Sequence, residues 1–217
     1  MSMGKRRIAV LVSGGGTNLQ ALIDAQGRGE IVSGKITAVI SSNPEAYALE
    51  RARQANIPGY ILPRKGWPSN QSYTKALVSL LQEMGADIVV LAGFMVILTE
   101  EIVQAYPNKI LNVHPALIPS FCGKGAYGLH VHEQALAYGV KVTGATVHLV
   151  TAEPDGGPIV LQKAIDVLPW DTPESLQRRV MEECEWKLLP KAVDLLCRDN
   201  LKVEGRTVNI IGGRVIV

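Results

Sequence analysis

Three short segments combine residue types that can do chemistry. Ser13-Gly14-Gly15-Gly16-Thr17-Asn18 sits between an apolar run and an amphipathic one. Glycines permit a tight turn there, and the free amides of a helix start favour an anion, so a phosphate is the natural guest. The spacing is neither Gly-x-Gly-x-x-Gly nor Gly-x4-Gly-Lys-[Ser/Thr], which points to a small phosphate monoester rather than a dinucleotide or triphosphate. Alone, the segment also reads as an ordinary strand-to-helix turn. Asn112-Val113-His114-Pro115 puts a carboxamide and an imidazole two residues apart, hence on one side of a strand. Such a pair suits a carbonyl whose oxygen gains negative charge under attack. Thr151-Ala152-Glu153-Pro154-Asp155-Gly156-Gly157-Pro158 is a loop bounded by proline and glycine. It can press its backbone against a ligand while presenting a carboxylate, although by itself it is also simply a turn.

These segments need elements to hold them. Apolar runs at 8–12, 36–41, 60–62, 88–91 and 110–113 are β-branched or Leu-rich and bounded by polar residues or glycine. That is the pattern of strands buried on both faces. Helical patterning fills 18–26, 46–55, 72–84 and 99–106 between them. The alternation predicts an α/β fold, a mostly parallel sheet with helices on both faces. After Gly128 the pattern changes to a helix over 129–138 and then strands over 143–150 and 159–167 in direct succession. Their short connector predicts an antiparallel portion of the sheet near the C-terminal end. A last helix opens at Asp171-Thr172-Pro173-Glu174, with a capping residue and a proline in its first turn, and runs to about Arg198. Runs at 201–203, 207–210 and 214–217 predict a small terminal hairpin within 201–217. Ligands of open parallel sheets bind outside the carboxyl ends of the strands, and the three segments fall at such ends.

The 217 residues suit one domain, and a formal charge of +2 without a long run of one sign gives no broad field for a nucleic acid. Lys5-Arg6-Arg7 reads as a solubilising start. The apolar stretch 8–12 is too short for a signal peptide, and no run reaches the roughly 18 residues of a membrane span. Cys122, Cys184 and Cys197 are odd in number and far apart, so neither a disulfide framework nor a zinc site is expected. The expectation is a soluble, cytoplasmic protein with no metal and no nucleic-acid or membrane partner.

Read together, the motifs resemble glycinamide ribonucleotide formyltransferases, within the folate-dependent formyltransferase family. The matching text is Val-Ser-Gly-Gly-Gly-Thr-Asn-Leu-Gln-Ala at 12–21, Leu-Ala-Gly-Phe-Met at 91–95 and Leu-Asn-Val-His-Pro-Ala-Leu-Ile-Pro at 111–119. It continues with Val-Thr-Gly-Ala-Thr-Val-His at 142–148 and Asp-Gly-Gly-Pro-Ile at 155–159. The resemblance runs from end to end and implies a single Rossmann-like formyltransferase domain over 1–217.

The same resemblance implies roles. Asn112, His114 and Asp155 would be the catalytic set. Gly15, Gly16, Thr17, Asn18 and Leu19 would hold the substrate phosphate, and Glu185 the ribose. Met95, Val96, Ile97 and Leu98, with Asn70, Asn112, Thr151, Ala152, Glu153, Pro154 and Asp155, would line the folate site. The implied donor is 10-formyltetrahydrofolate, a cosubstrate, and the acceptor is the amine of glycinamide ribonucleotide, attacking directly without a protein nucleophile. Monomer and homodimer both stay open. Two departures stand out: Val96 replaces an arginine of many relatives, and Asn70 stands where some carry an arginine that reaches the folate tail. His130 and His132 are expected as solvated helix residues. Asp155 is expected to raise the pKa of His114. Related enzymes acting on initiator tRNA or hydrolysing formyl folate would normally carry a further domain, for which the chain has no evident room.

Overall fold

β-Branched residues set the centre of the molecule. In the computed structural model, which describes residues 4–212, β1 (Arg6–Val12) buries Ile8, Val10 and Val12 in one apolar layer and Ala9 and Leu11 in another. This is how a strand covered on both faces must be written, since neighbouring side chains point to opposite sides. Parallel β2 (Gly34–Ser41) and β4 (Ile88–Leu91) flank β1. β3 (Gly59–Ile61) lies beyond β2, and β5 (Ile110–His114) beyond β4. The chain therefore builds outward from β1 in two directions, and the reversal falls between β1 and β4. A crevice at the carboxyl ends of the strands opens at such a reversal.

Helices cover both faces. α1 (Thr17–Gly27) and α2 (Tyr47–Gln54) pack on the Ile8–Val10–Val12 layer through Leu19, Leu22, Ala48 and Ala52. α3 (Asn70–Glu83) and α4 (Glu100–Ala105) pack on the other through Tyr73, Leu77, Leu81 and Ile102. After α5 (Leu129–Tyr138) the sheet turns antiparallel, with β6 (Val142–Leu149) between β5 and β7 (Ile159–Asp166). β8 (Leu201–Glu204) and β9 (Thr207–Ile210) form an antiparallel hairpin, and Thr207 joins it to β7. Among the described residues the sheet order is β3-β2-β1-β4-β5-β6-β7-β9-β8.

The parallel sheet, the antiparallel portion and the hairpin agree with the patterning, but details differ. β3 is exposed at all three residues rather than buried on both faces, because it is the outermost strand. The expected run at 214–217 lies outside the described residues. The last helix is not one regular rod. Thr172 and Ser175 cap α6 (Pro173–Val180) reciprocally with Pro173 in its first turn, as the sequence predicts. A π turn (Met181–Glu185) then separates it from α7 (Trp186–Cys197). Such turns hold one extra residue and recur at functional sites.

Candidate active site

The glycine segment joins β1 to α1 at the sheet's reversal. Gly16 takes a left-handed conformation (φ 73°) and leads into α1, and no side chain caps the helix. The first-turn amides of Thr17, Asn18 and Leu19 therefore have no capping acceptor and are available to an anion. Leu19 contributes backbone alone, since its side chain is in the core. Arg51 of α2 braces the loop from behind, donating from Nε to the Gly15 carbonyl (2.8 Å) and from Nη1 to Gln20 Oε1 (3.0 Å). A Cβ on Gly16 would meet Ala48 Cβ at 2.6 Å, so substituting Gly16 would perturb the fold before any ligand. Gly15 has open space in that direction. Gly15→Val is thus expected to keep the fold and raise KM for a phosphorylated substrate by about tenfold, leaving the other substrate's KM within about twofold. Equal rises in both Michaelis constants would mean that the loop is only structural.

Asn112 and His114 lie on β5 and Asp155 on the loop after β6, and the structure brings all three together. Asp155 Oδ2 stands 3.6 Å from His114 Nδ1 and accepts from the Gly123 amide at 2.9 Å. Its other oxygen, Oδ1, is 3.4 Å from Asn112 Nδ2 and 3.5 Å from His148 Nε2. Asp155 adopts φ 53°, a conformation that aspartate tolerates better than most residues. A Cβ on Gly157 would overlap the Leu149 carbonyl oxygen, so glycine is needed for the loop to fold back on the end of β6. Burial alone would raise the Asp155 pKa, but His148, His114 and the Gly123 amide together lower it, keeping a carboxylate.

The histidines are set by their acceptors. His114 Nε2 meets the Phe121 carbonyl at 2.8 Å and must carry a hydrogen, which leaves Nδ1 facing Asp155. The expectation that Asp155 raises the His114 pKa is only half right. Asp155 does push upward, but burial is the larger cause and the net shift is downward. His148, opposite Asn112 in the β5–β6 register, was not among the expected site residues. Its Nδ1 donates to the Leu149 carbonyl (3.0 Å), so Nε2 accepts from Asn112 Nδ2 (3.1 Å). A signal was present: a histidine stands next to the end of a strand of small and β-branched residues, two residues past Thr146 on the same face. Thr146 itself receives the Ile118 amide (3.1 Å) and donates to the Ala116 carbonyl (2.6 Å), fixing the irregular chain after Pro115.

The expected folate segments border an open groove at the same crevice. Phe94, Val96 and Leu98 pack inward on the α3–α4 layer, while Met95 and Ile97 point out, 53% and 55% exposed. A groove of about 490 Å³ is lined by Ser13, Ser42, Asn43, Arg64, Asn70, Met95, Val96 and Ile97. Ser13 ties it to the glycine loop, with Oγ accepting from the Met95 amide (2.9 Å) and paired with Ser42 Oγ (2.6 Å). In the loop after β6, Thr151 and Asp155 are half-buried, and Ala152, Glu153 and Pro154 are exposed. The groove sets the exposed apolar faces of Met95 and Ile97 beside serine, asparagine and arginine side chains.

Glu185 lies in the π turn and is 6% exposed. Asn18 Nδ2 donates to it at 2.6 Å, joining the start of α1 to a residue 167 positions later. Burial pushes the Glu185 carboxyl up to about 7, against a smaller lowering by Asn18. Asn18 Oδ1 is buried without a partner, so this pair holds an acceptor directed to neither solvent nor protein. His132 corrects another expectation. It is fully buried with both ring nitrogens unpartnered, and burial lowers its pKa to about 4, whereas His130 is exposed and paired with Glu133 (2.7 Å). Burial also raises the Cys122 pKa, which leaves a thiol rather than a nucleophilic thiolate.

Among the described residues no group of three or more His, Cys, Asp or Glu is placed to hold a metal ion, and no helix is long and apolar enough to cross a membrane. Residues 6–193 match the formyl transferase family model. The chain is 39% identical over 207 residues to phosphoribosylglycinamide formyltransferase of Haemophilus influenzae, covering 95% of this chain and 94% of that one. For the Escherichia coli protein of the same name the identity is 38% over 208 residues, covering 96% and 95%. The structure of this chain superposes on glycinamide ribonucleotide transformylase 1 from Symbiobacterium toebii with a TM-score of 0.90 and 44% identity, covering 96% and 95% of the two chains. A family match over the segment that contains the glycine loop, the Asn112–His114 strand, Asp155 and Glu185 leaves one assignment: the chain belongs to the formyl transferase family.

Proposed function

We propose that the chain transfers the formyl group of 10-formyltetrahydrofolate to the amine of glycinamide ribonucleotide, a step of purine biosynthesis. The carrying observation is the meeting of Asn112, His114 and Asp155 at the crevice that also holds an uncapped helix start and an open groove. The donor supplies an activated formyl carbon, and the chain supplies hydrogen bonds and proton management. The first-turn amides of α1 hold the phosphate, and Glu185 and Asn18 meet the ribose. Met95 to Leu98, with Thr151 to Asp155, border the ring of the donor.

As the amine adds, charge grows on the formyl oxygen. Asn112 is the amide donor. Its contact with Asp155 is long at 3.4 Å, so turning that hydrogen to an oxyanion costs little. His114 holds or moves a proton at Nδ1, because Nε2 is committed to the Phe121 carbonyl. Asp155 favours a proton arriving at Nδ1, and the proton shed by the attacking amine passes through solvent and this pair to the departing folate nitrogen. No step needs a metal or a thiolate. We further propose that 1–217 forms one domain, acts as monomer or homodimer, and works in the cytoplasm.

The test is turnover of 10-formyltetrahydrofolate with and without glycinamide ribonucleotide, in the presence of chelator. Formylated ribonucleotide and deformylated folate in equal amounts are expected only when both substrates are present. Release of formate without the ribonucleotide would instead identify a hydrolase, and binding without turnover a non-catalytic module.

A further inference from the structure

We propose that Gln162 is a positioning residue for catalysis, whose carboxamide pins the chain between Pro115 and Phe121 and so keeps the Phe121 carbonyl on His114. The proposal rests on the formyl-transfer reading and adds a residue to it. His114, Thr146 and Gln162 stand in one row across β5, β6 and β7, since His114 is opposite Thr146 and Thr146 is opposite Gln162. Paired residues share a face of the sheet, so all three side chains meet the irregular chain that follows Pro115. Gln162 is an exposed residue, yet its amide turns to the protein. Nε2 donates to the Ile118 carbonyl at 3.0 Å and to Thr146 Oγ1 at 2.9 Å.

Both partners require a donor. Thr146 is fully buried and its hydroxyl is saturated. Its one hydrogen goes to the Ala116 carbonyl (2.6 Å), and its lone pairs take the Ile118 amide (3.1 Å) and Gln162 Nε2. The Ile118 carbonyl can only accept. These demands fix which end of the Gln162 amide points inward, and a glutamate there would offer no hydrogen to either partner.

Beyond Ile118 the chain passes through Phe121 in a left-handed conformation (φ 48°) and presents its carbonyl to His114 Nε2 at 2.8 Å. A bulky residue keeps such a conformation only where its surroundings impose it. The pins at Ala116 and Ile118 act from one side, and the Gly123 amide on Asp155 (2.9 Å) acts from the other. They matter because two acceptors compete for the hydrogen of neutral His114. Phe121 holds it on Nε2, while the Asp155 carboxylate, 3.6 Å from Nδ1, draws it to the other nitrogen. A carboxylate is the stronger acceptor, so the short contact to Phe121 decides the tautomer. Were the chain to slacken, the hydrogen would settle on Nδ1, and the nitrogen that should receive a proton during transfer would already be filled. His148 on β6 and His132 on α5 are the other titratable groups facing this ring.

The experiment uses Gln162→Glu, which keeps the shape without a donor, and Gln162→Met, which keeps only the length. Histidine-selective nitrogen NMR spectra at pH 8 report which ring nitrogen carries the hydrogen, and four histidines are few enough to assign by comparison with His114→Ala. Wild-type His114 should carry its hydrogen on Nε2, and both variants should show a mixture with Nδ1. In both, kcat should fall about ten- to a hundredfold, with each Michaelis constant within about twofold of wild type. Losing the Phe121 bond also removes an upward influence on the His114 pKa, so the pH-rate limb should move to lower pH. A merely structural residue would lower Tm but leave the ring hydrogen and the limb in place. That result, or full activity in both variants, overturns the proposal. If the wild-type chain transfers no formyl group, the functional reading fails, and the ring spectra still decide whether Gln162 sets the His114 tautomer.

Discussion

Asp155→Asn is expected to reduce kcat on the order of 10²–10⁴-fold, with both Michaelis constants changed by less than about threefold. The substitution keeps the side-chain shape but removes the charge that faces His114 Nδ1 at 3.6 Å and holds the Gly123 amide at 2.9 Å. Burial already lowers the His114 pKa, and Asp155 is the leading influence in the other direction. Without it the His114 pKa falls further, so the pH-rate limb set by this ring should move to lower pH. His114→Ala should be comparably damaging. The double variant should be much less than additive, since each residue acts through the other. Additive losses in folded proteins would show two independent roles, and near-full activity of Asp155→Asn would remove it from the mechanism.

The second large effect runs in opposite directions for stability and function. Glu185 titrates near 7 in the folded chain, whereas its ordinary value is 4.5. The folded state then binds more protons than the unfolded one between those two pH values, so folding stability falls as pH rises through this window. The penalty is absent below about pH 4.5 and fully present above about pH 7. Glu185→Gln keeps a polar group for Asn18 and removes the penalty. It is expected to stabilise the chain at pH 8 by about 2–3 kcal/mol, with the gain vanishing near pH 4. The same change should raise the ribonucleotide KM by about tenfold or more, because a charge-assisted acceptor is lost. Thermal unfolding of both proteins at pH 4.5 and pH 8 checks the first claim, and steady-state kinetics the second. A Tm difference that does not change with pH would mean that Glu185 is not a buried proton-binding group.

Much of this was legible in the sequence, for identifiable reasons. Apolar runs such as Ile88–Leu91 are buried on both faces, so composition alone marks them, and the short 151–157 connector forces an antiparallel return. Strand-end placement drew attention to the three segments, and the resemblance to formyltransferases grouped Asn112, His114 and Asp155 within them. What escaped depends on three-dimensional neighbours. Tyr60 and Ile61 look like core residues, yet β3 is an edge strand, a fact fixed by sheet order rather than by their identity. His132 sits on a helix whose pattern does not distinguish its buried side from the solvated side of His130. Arg51 and Arg64 reach their partners by long side chains from surface elements, which no local pattern records. Whether burial or Asp155 governs His114 is a balance of magnitudes, and only the folded environment sets both.

The π turn at Met181–Glu185 has a counting consequence. Fully or nearly buried residues recur every four positions at Leu176, Val180, Cys184, Leu188, Ala192 and Leu196. An α-helix turns 100° per residue, so a four-residue repeat drifts by about 40° at each step and would swing the stripe roughly 200° around the rod. One residue inserted in a wider turn withdraws about 100° of that drift and lets both flanking helices face the same sheet. Deleting one residue between 181 and 185 would therefore leave the two flanks in phase and the rod regular. It would also abolish the seat from which Glu185 meets Asn18. The protein is one residue longer here than its architecture requires, and that surplus residue brings Glu185 to Asn18.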